Sequence, residues 1–273
     1  MQYYTIKPSA SIADYVRFFW VLEGEGSSSN PFFHRALPDY CPELIFYCNG
    51  HFTFDRNRST PEKTFSSGIY GQSQHYYKFK AELKFRIFGA YLYPYTIPHL
   101  LSLPANEVSN EALDLITLLG KEGEILEERM LSAADDHQRA QILTLFFERK
   151  LKKAKHVDTV SALIKKITDS GEMAPVTTLA SQSFLSRRQF ERRFKIQAGF
   201  SPNEFLRLVR FTAILKSSPV IDQSLGELAL TCGYYDQSHF IHDFTLYSGY
   251  SPKEFFKQKL DAATYRAASE FKM

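Results

Sequence analysis

FKIQAGFSPNEF (Phe194–Phe205) and FTLYSGYSPKEF (Phe244–Phe255) are two versions of one stretch, offset by 50 residues. Phe, Gly, an aromatic, Ser, Pro, Glu and Phe recur at matching positions, and a Leu-Ala pair precedes each copy, at Leu179-Ala180 and Leu228-Ala229. A period this long, present only twice, indicates a duplicated supersecondary unit, because a solenoid needs three or more repeats. Each unit reads as helix, turn, helix. In the second, Leu225–Leu230 is a short helix broken at Cys232-Gly233-Tyr234. Asp236 then caps a helix carrying Phe240, Phe244 and Tyr247 on one stripe, which stops at Ser248-Gly249. In the first, Thr177–Ser181 leads through Phe184-Leu185 to a helix capped by Ser186, with Phe190 and Phe194 as its stripe and Ala198-Gly199 as its end. Two helices joined by a tight turn are a helix-turn-helix, whose second helix enters the DNA major groove.

The outward face of the first such helix suits that role. It presents Arg187, Arg188, Gln189, Glu191, Arg192, Arg193 and Lys195. Arginine forks match guanine edges and phosphates bidentately. A solvated charged face is the plainer account of any one helix, but its place after the turn and the doubling of the unit favour DNA.

The segment GYYDQSHFIHDFTLYSGYSPKEFF (Gly233–Phe256) resembles the signature of the AraC/XylS family of bacterial transcription regulators, and the resemblance covers about Met173 to Phe256. It implies two helix-turn-helix units joined by a long helix, facing two successive major grooves of double-stranded DNA about 34 Å apart. By position, it assigns base-edge reading to Arg188, Glu191 and Arg192, flanked by Arg187, in the first unit, and to Gln237, Ser238, His239 and His242 in the second. Arg193 and Lys195 are then phosphate contacts. It also implies RNA polymerase as a partner and a small-molecule effector sensed by the N-terminal part. One departure is Phe184, where the family's first unit often has Gly at the turn.

Charge placement agrees with a nucleic-acid partner. Of the net +3, residues 1–170 contribute nothing, with 20 Lys/Arg against 20 Asp/Glu, while residues 171–260 hold 11 against 8. Within the latter, 171–220 has 8 basic and 3 acidic residues and 221–260 has 3 and 5. The first unit therefore supplies most of the phosphate attraction.

Length and composition predict an α+β chain: an N-terminal antiparallel β barrel or sandwich (1–106), a helical middle (107–170), an all-α double helix-turn-helix domain (171–260) and a short tail (261–273). Aromatic and β-branched runs at Tyr3–Ile6, Val16–Leu22, Leu44–Cys48, His51–Phe54, His75–Phe79 and Leu83–Tyr93 read as strands. Asn49-Gly50 predicts a tight hairpin between two of them. The segment Leu37–Phe46 is similar to sensor domains attached to some members of the same family. In the middle, Asn110 is expected to cap a helix through Leu119, and Gly123 to separate it from one at Glu124–Leu131. Asp135-Asp136 should start a third, with Ile142, Leu145, Phe146 and Leu151 on one face, and His156–Thr168 is a fourth. Their apolar stripes can pack on the β domain or on a second copy of the chain, making a homodimer. Pro202 begins the helix that joins the two units, ending before Ser217-Ser218-Pro219.

No Gly-rich phosphate loop, nucleophile elbow or HExxH is present, so no enzyme activity, cofactor or metal is expected. Cys41, Cys48 and His51, with His34, match no common zinc spacing. A zinc-bound cysteine that accepts alkyl groups from damaged DNA is the enzymatic alternative; a dimerising regulator that binds no ligand, or a sensor working through protein contacts, are others. Three cysteines without framework spacing, and no apolar run of membrane length, predict a cytoplasmic chain with no membrane partner. An effector pocket would draw on aromatics such as Phe19, Trp20, Phe46 and Tyr47, of which strand alternation sends at most half inward. A plain aromatic core is the simpler account.

Overall fold

The computed structural model describes residues 1–55, 62–152, 158–217 and 224–257. The expected tail, 261–273, and the start of the fourth middle helix at His156 lie outside these.

The β domain is a sandwich of two antiparallel sheets, not a closed barrel. One sheet has six strands in the order β1 (Gln2–Ile6), β2 (Val16–Glu25), β9 (Lys84–Leu92), β4 (Glu43–Asn49), β7 (Ser67–Tyr70) and β10 (Ala112–Asp114). The other has β3 (Phe32–Ala36), β8 (Tyr77–Ala81), β5 (Thr53–Asp55) and β6 (Glu62–Lys63). Asn49-Gly50 is not a hairpin. β4 already has β9 and β7 on its two edges, so the chain crosses to the other sheet, where β5 pairs with β8.

Alternation sorts the large sheet's side chains by face. Phe19, Val21, Leu44, Phe46, Phe88 and Ala90 point to a core shared with helices, while Leu22, Ile45, Tyr47, Phe85 and Ile87 point toward the small sheet. The helical core is closed by α1 (Thr96–Leu101), α2 (Leu115–Leu119), α3 (Lys121–Ser132) and α4 (Asp136–Leu151).

Three middle-segment expectations need correction. Asn110 caps nothing; it sits at φ +63 and its side chain accepts from the Gln74 N–H at 2.8 Å. The next residues pair with the exposed edge of β7, so Asp114 becomes the cap, accepting from Thr117. Gly123 lies inside α3 rather than before it, packed so closely that a Cβ there would stand 2.5 Å from the Leu115 carbonyl oxygen, and Gly120 makes the break instead. On α4, Ile142, Phe146 and Leu151 are buried, but Leu145, on the edge of the stripe, is 57% exposed.

α5 (Thr159–Ser170) is capped by Asp158 and ends at Gly171; its Val160, Ile164 and Ile167 enter the core of the C-terminal helices. There α6 (Val176–Gln182), α7 (Arg187–Ala198), α8 (Pro202–Ser217), α9 (Leu225–Thr231), α10 (Gln237–Ser248) and α11 (Pro252–Lys257) form two helix-turn-helix units around Phe190, Phe194, Phe205, Phe211, Phe240 and Phe244. The repeated Ser-Pro-x-Glu is a helix start in both copies. Ser201 and Ser251 accept from the N–H of Glu204 and Glu254, whose carboxylates accept from the serine N–H in return, and Pro occupies the first helical position.

Candidate nucleic-acid interface and effector cavity

The first recognition helix, α7, opens with a capping box between Ser186 and Gln189 and buries Phe190, Phe194 and Ala198. That burial fixes the opposite face outward. Arg187, Arg188, Arg192, Arg193 and Lys195 are all exposed, and Glu191 is half-buried, held by the Arg187 Nε at 2.9 Å. Phe184 at the turn adopts a left-handed φ of +54 and is 93% exposed. The turn that Gly often makes is made here by a strained, unpacked aromatic.

The second recognition helix, α10, is capped by Asp236, and Gln237, Ser238, His239 and His242 are exposed on its outer side. Beneath them is a feature with no local sequence signal. Asp243 is fully buried and takes both arms of the Arg207 guanidinium from α8, at 3.1 and 2.5 Å. His239 and His242 approach the same carboxylate at 3.6 and 3.4 Å. Burial pushes the Asp243 carboxyl up, but Arg207 outweighs it, so the group titrates below its ordinary value. The connecting helix thus anchors a carboxylate that lies beneath both histidines.

The β domain grips each recognition helix at the same repeat position. On α7, the Gln72 side-chain amide donates to the Ala198 carbonyl at 2.8 Å and the Ser109 hydroxyl to the Gly199 carbonyl at 3.2 Å. On α10, the Arg35 guanidinium donates to the Ser248 carbonyl at 2.6 Å and the Tyr250 hydroxyl at 3.0 Å. It also lies 4.5 and 4.1 Å from the ring centres of Tyr76 and Tyr250. Donors at a helix C-terminus satisfy its last carbonyls and oppose its negative end. Gly199 and Gly249 make the approach feasible: both have positive φ, and a Cβ would stand 1.6 Å from Gln72 Nε2 or 2.7 Å from Arg35 Nη1.

Between the two sheets is a cavity of about 170 Å³. Trp20 and Tyr47 line it, whereas Phe19 and Phe46 belong to the opposite face, the halving that alternation requires. His34 and Ala36 also line it, and Arg35 between them reaches the other way, to α10. Gly71 and Ser73 line it too, and Gln72 between them reaches α7. The two segments that hold the recognition helices are therefore walls of the cavity. At its inner end Asp39 accepts from the Tyr91 hydroxyl and the Cys41 N–H.

Cys41 borders the cavity while Cys48 packs at the helical core. Burial pushes both thiols up. They are held as thiols, which lack the nucleophilicity of the thiolate an alkyl acceptor needs. Among the described residues no group of His, Cys, Asp and Glu could hold a metal ion, and no helix is long and apolar enough to cross a membrane.

Residues 179–258 match a family described as a helix-turn-helix domain. This stretch is an AraC-type helix-turn-helix domain. Residues 4–114 match a second family, described as a domain of unknown function (DUF6597). The AraC-type domain carries the likeness to curated proteins. Over 100 residues the chain is 33% identical to the HTH-type transcriptional regulator MtrA of Neisseria gonorrhoeae, covering 35% of this chain and 32% of that protein. Over 88 residues it is 34% identical to the HTH-type transcriptional activator RhaS of Escherichia fergusonii, covering 31% and 30%. The chain thus spans about a third of the length of these relatives. Among solved structures, ToxT from Vibrio cholerae is similar over 88% of this chain and 98% of that one, at 14% identity and a TM-score of 0.46.

Proposed function

We propose that this is a sequence-specific, DNA-binding transcription regulator of the AraC type, whose N-terminal domain takes a small-molecule effector. The observation that carries it is the pair of capped recognition helices, each with its aromatic stripe buried and its predicted reading face exposed. Arg188, Glu191 and Arg192 read base edges from α7, with Arg187 beside them; Gln237, Ser238, His239 and His242 read from α10; Arg193 and Lys195 bind phosphate. The two helices face successive major grooves. RNA polymerase as a partner, a cytoplasmic location and a homodimer belong to the same reading.

An effector acts by favouring one arrangement of the AraC-type domain over another, which requires different affinity for the two. The cavity walls supply a route, since the residues flanking Arg35 and Gln72 line it. Selection of binding sites from random duplexes by the full-length protein tests the DNA reading. Arg188→Ala and Arg192→Ala should each cost about 1–3 kcal/mol on the selected site and relax preference at one base position. Unchanged affinity in both variants sinks the assignment of α7.

A further inference from the structure

The cavity's chemistry is one-sided. Its lining holds three carboxylates, Asp39, Glu43 and Glu111, and no Lys or Arg. The one histidine, His34, adds no positive charge at neutral pH, because burial pushes it down to about 4. Asp39 already has company: Tyr91 and the Cys41 N–H donate to it, and the charges of Arg17 and Lys216 act on it. Glu43 does not. Among the described residues it has no ion pair, and the charge acting on it is that of Asp39, of the same sign.

Its position is built rather than accidental. Trp20 on β2 stands opposite Gly89 on β9, and Ile45 on β4 is Gly89's other neighbour. A Cβ on Gly89 would lie 2.2 Å from the Trp20 ring, so the indole lies across β9 and lines the cavity together with Glu43 on β4. Glu43 itself is flanked in register by Tyr91 on one side and Tyr70 on the other. Tyr47, four residues on, faces the same way, its hydroxyl 3.1 Å from that of Tyr70. The opposite wall is apolar, with Phe54 stacked on Phe79 at 5.6 Å and Phe52 beside them.

We propose that the cavity binds a small organic cation, a protonated amine or quaternary ammonium group carrying one compact apolar or aromatic body, with Glu43 as its counter-charge. This rests on the reading of the N-terminal domain as an effector sensor. The ammonium group sits against Glu43, where the faces of the tyrosines and Trp20 favour a cation electrostatically. The apolar body fills the phenylalanine side. The volume suits one ring: an apolar cavity of about 150 Å³ takes benzene. A neutral ligand offers Glu43 no counter-charge, and an anion brings like charge to a lining of carboxylates.

Ligand charge and proton are coupled at this site. Burial first, and then Asp39, push Glu43 up to about 8. Near pH 7 the group is then mostly neutral, and an arriving cation displaces its proton. Affinity for a quaternary ammonium rises with pH and levels off above about 8. The other titratable groups facing Glu43 are Asp39, His34, Cys41, Glu111 and the tyrosines, so the variant below is needed to assign the pH dependence.

The test uses the full-length protein. Trp20 is the chain's one tryptophan, so its fluorescence reports on the cavity directly, with calorimetry as a second readout. The probes are 2-phenylethylamine, benzyltrimethylammonium, 2-phenylethanol and 3-phenylpropanoate. The two cations should bind at least tenfold tighter than the alcohol, with the carboxylate weakest, and the quaternary cation should tighten from pH 6 to pH 8. Glu43→Gln should weaken the cations tenfold or more, leave the alcohol unchanged and abolish the pH dependence. The proposal is overturned if the alcohol or carboxylate binds as tightly as the cations, if none of the four binds, or if Glu43→Gln leaves cation affinity intact. Should that variant not fold, the rank of the four probes on the unaltered protein decides: no preference for the two cations overturns the proposal. DNA affinity with and without saturating cation is measured separately. No change there would sink the effector reading while leaving the binding site assigned.

Discussion

Replacing Arg35 with Met should loosen the end of the second recognition helix from the β domain. In the intact chain the guanidinium makes two hydrogen bonds, at 2.6 and 3.0 Å, and lies against two tyrosine rings. A hydrogen bond from a charged donor contributes about 1.5–3 kcal/mol, and a half-exposed cation–π contact about 0.5–1 kcal/mol. Water replaces part of this when the site opens, so the net loss of docking is about 2–3 kcal/mol, or roughly 30- to 150-fold in the docking equilibrium. Hydrogen exchange at the backbone amides of Gly249 and Tyr250 reads it, because these are bonded to Thr245 and Ser248 at the gripped end. Arg35 has further neighbours, so a double-mutant cycle with Tyr250→Phe isolates the pair; a coupling of about 1 kcal/mol is expected. Arg35→Lys should recover less than half of the protection, since a point charge cannot serve two acceptors in the plane of a fork. Additivity within about 0.3 kcal/mol, together with unchanged exchange at Gly249, would refute the grip.

Other outcomes follow from the same geometry. Gly199→Ala forces a side chain into Gln72 and Ser109 at φ +83, whereas Gly171→Ala meets nothing within 4 Å at φ +69, so thermal denaturation should show the first as clearly the more damaging. Phe184→Gly should stabilise the chain by about 0.5–1 kcal/mol in denaturant titrations, because it relieves a left-handed φ at a side chain with no packing to lose. Asp243→Asn should cost about 2–3 kcal/mol, reduced from the fully buried case because Arg207 is a third exposed. Since the Asp243 carboxyl titrates below its ordinary value, its stabilisation is present above the unfolded pKa of about 3.9 and is lost as the pH falls through the lower folded value. An acid titration of the Asn variant should therefore lack part of the low-pH destabilisation. Arg193→Ala should weaken binding to all DNA sequences alike and flatten the salt dependence.

The C-terminal domain was legible because its signals are local. Caps at Ser186 and Asp236, phenylalanines at helical spacing and the repeated Ser-Pro-x-Glu each act within one turn of a helix. The β domain was legible in outline, and alternation limited the cavity-facing aromatics to at most half of the four considered, without saying that Trp20 and Tyr47 are the pair. Errors arose where a distant partner decided the outcome. Ala112–Asp114 sits in a helix-like string but completes the edge of β7, and Asn49-Gly50 has hairpin chemistry but follows a strand whose edges are both taken. The grip was illegible for the same reason: Arg35 and Ser248 are 213 residues apart, Gln72 and Ala198 126. Glu43 shows nothing in sequence that separates it from a surface glutamate; only the pairing of β4 with β7 and β9 places it between two tyrosines.

The grip on Ala198 and Ser248 bears on the distance between binding half-sites. These carbonyls occupy the same place in two copies of one unit, and a single β domain holds both. The domain therefore acts as a gauge block between the recognition helices, while the groove spacing of DNA is set by its own helical repeat. A ligand that shifted one wall of the cavity would move one jaw relative to the other. The quantity such a ligand would tune is the number of base pairs separating two half-sites that the protein can span without strain, so duplexes differing only by one inserted or deleted base pair would change rank when the cavity fills.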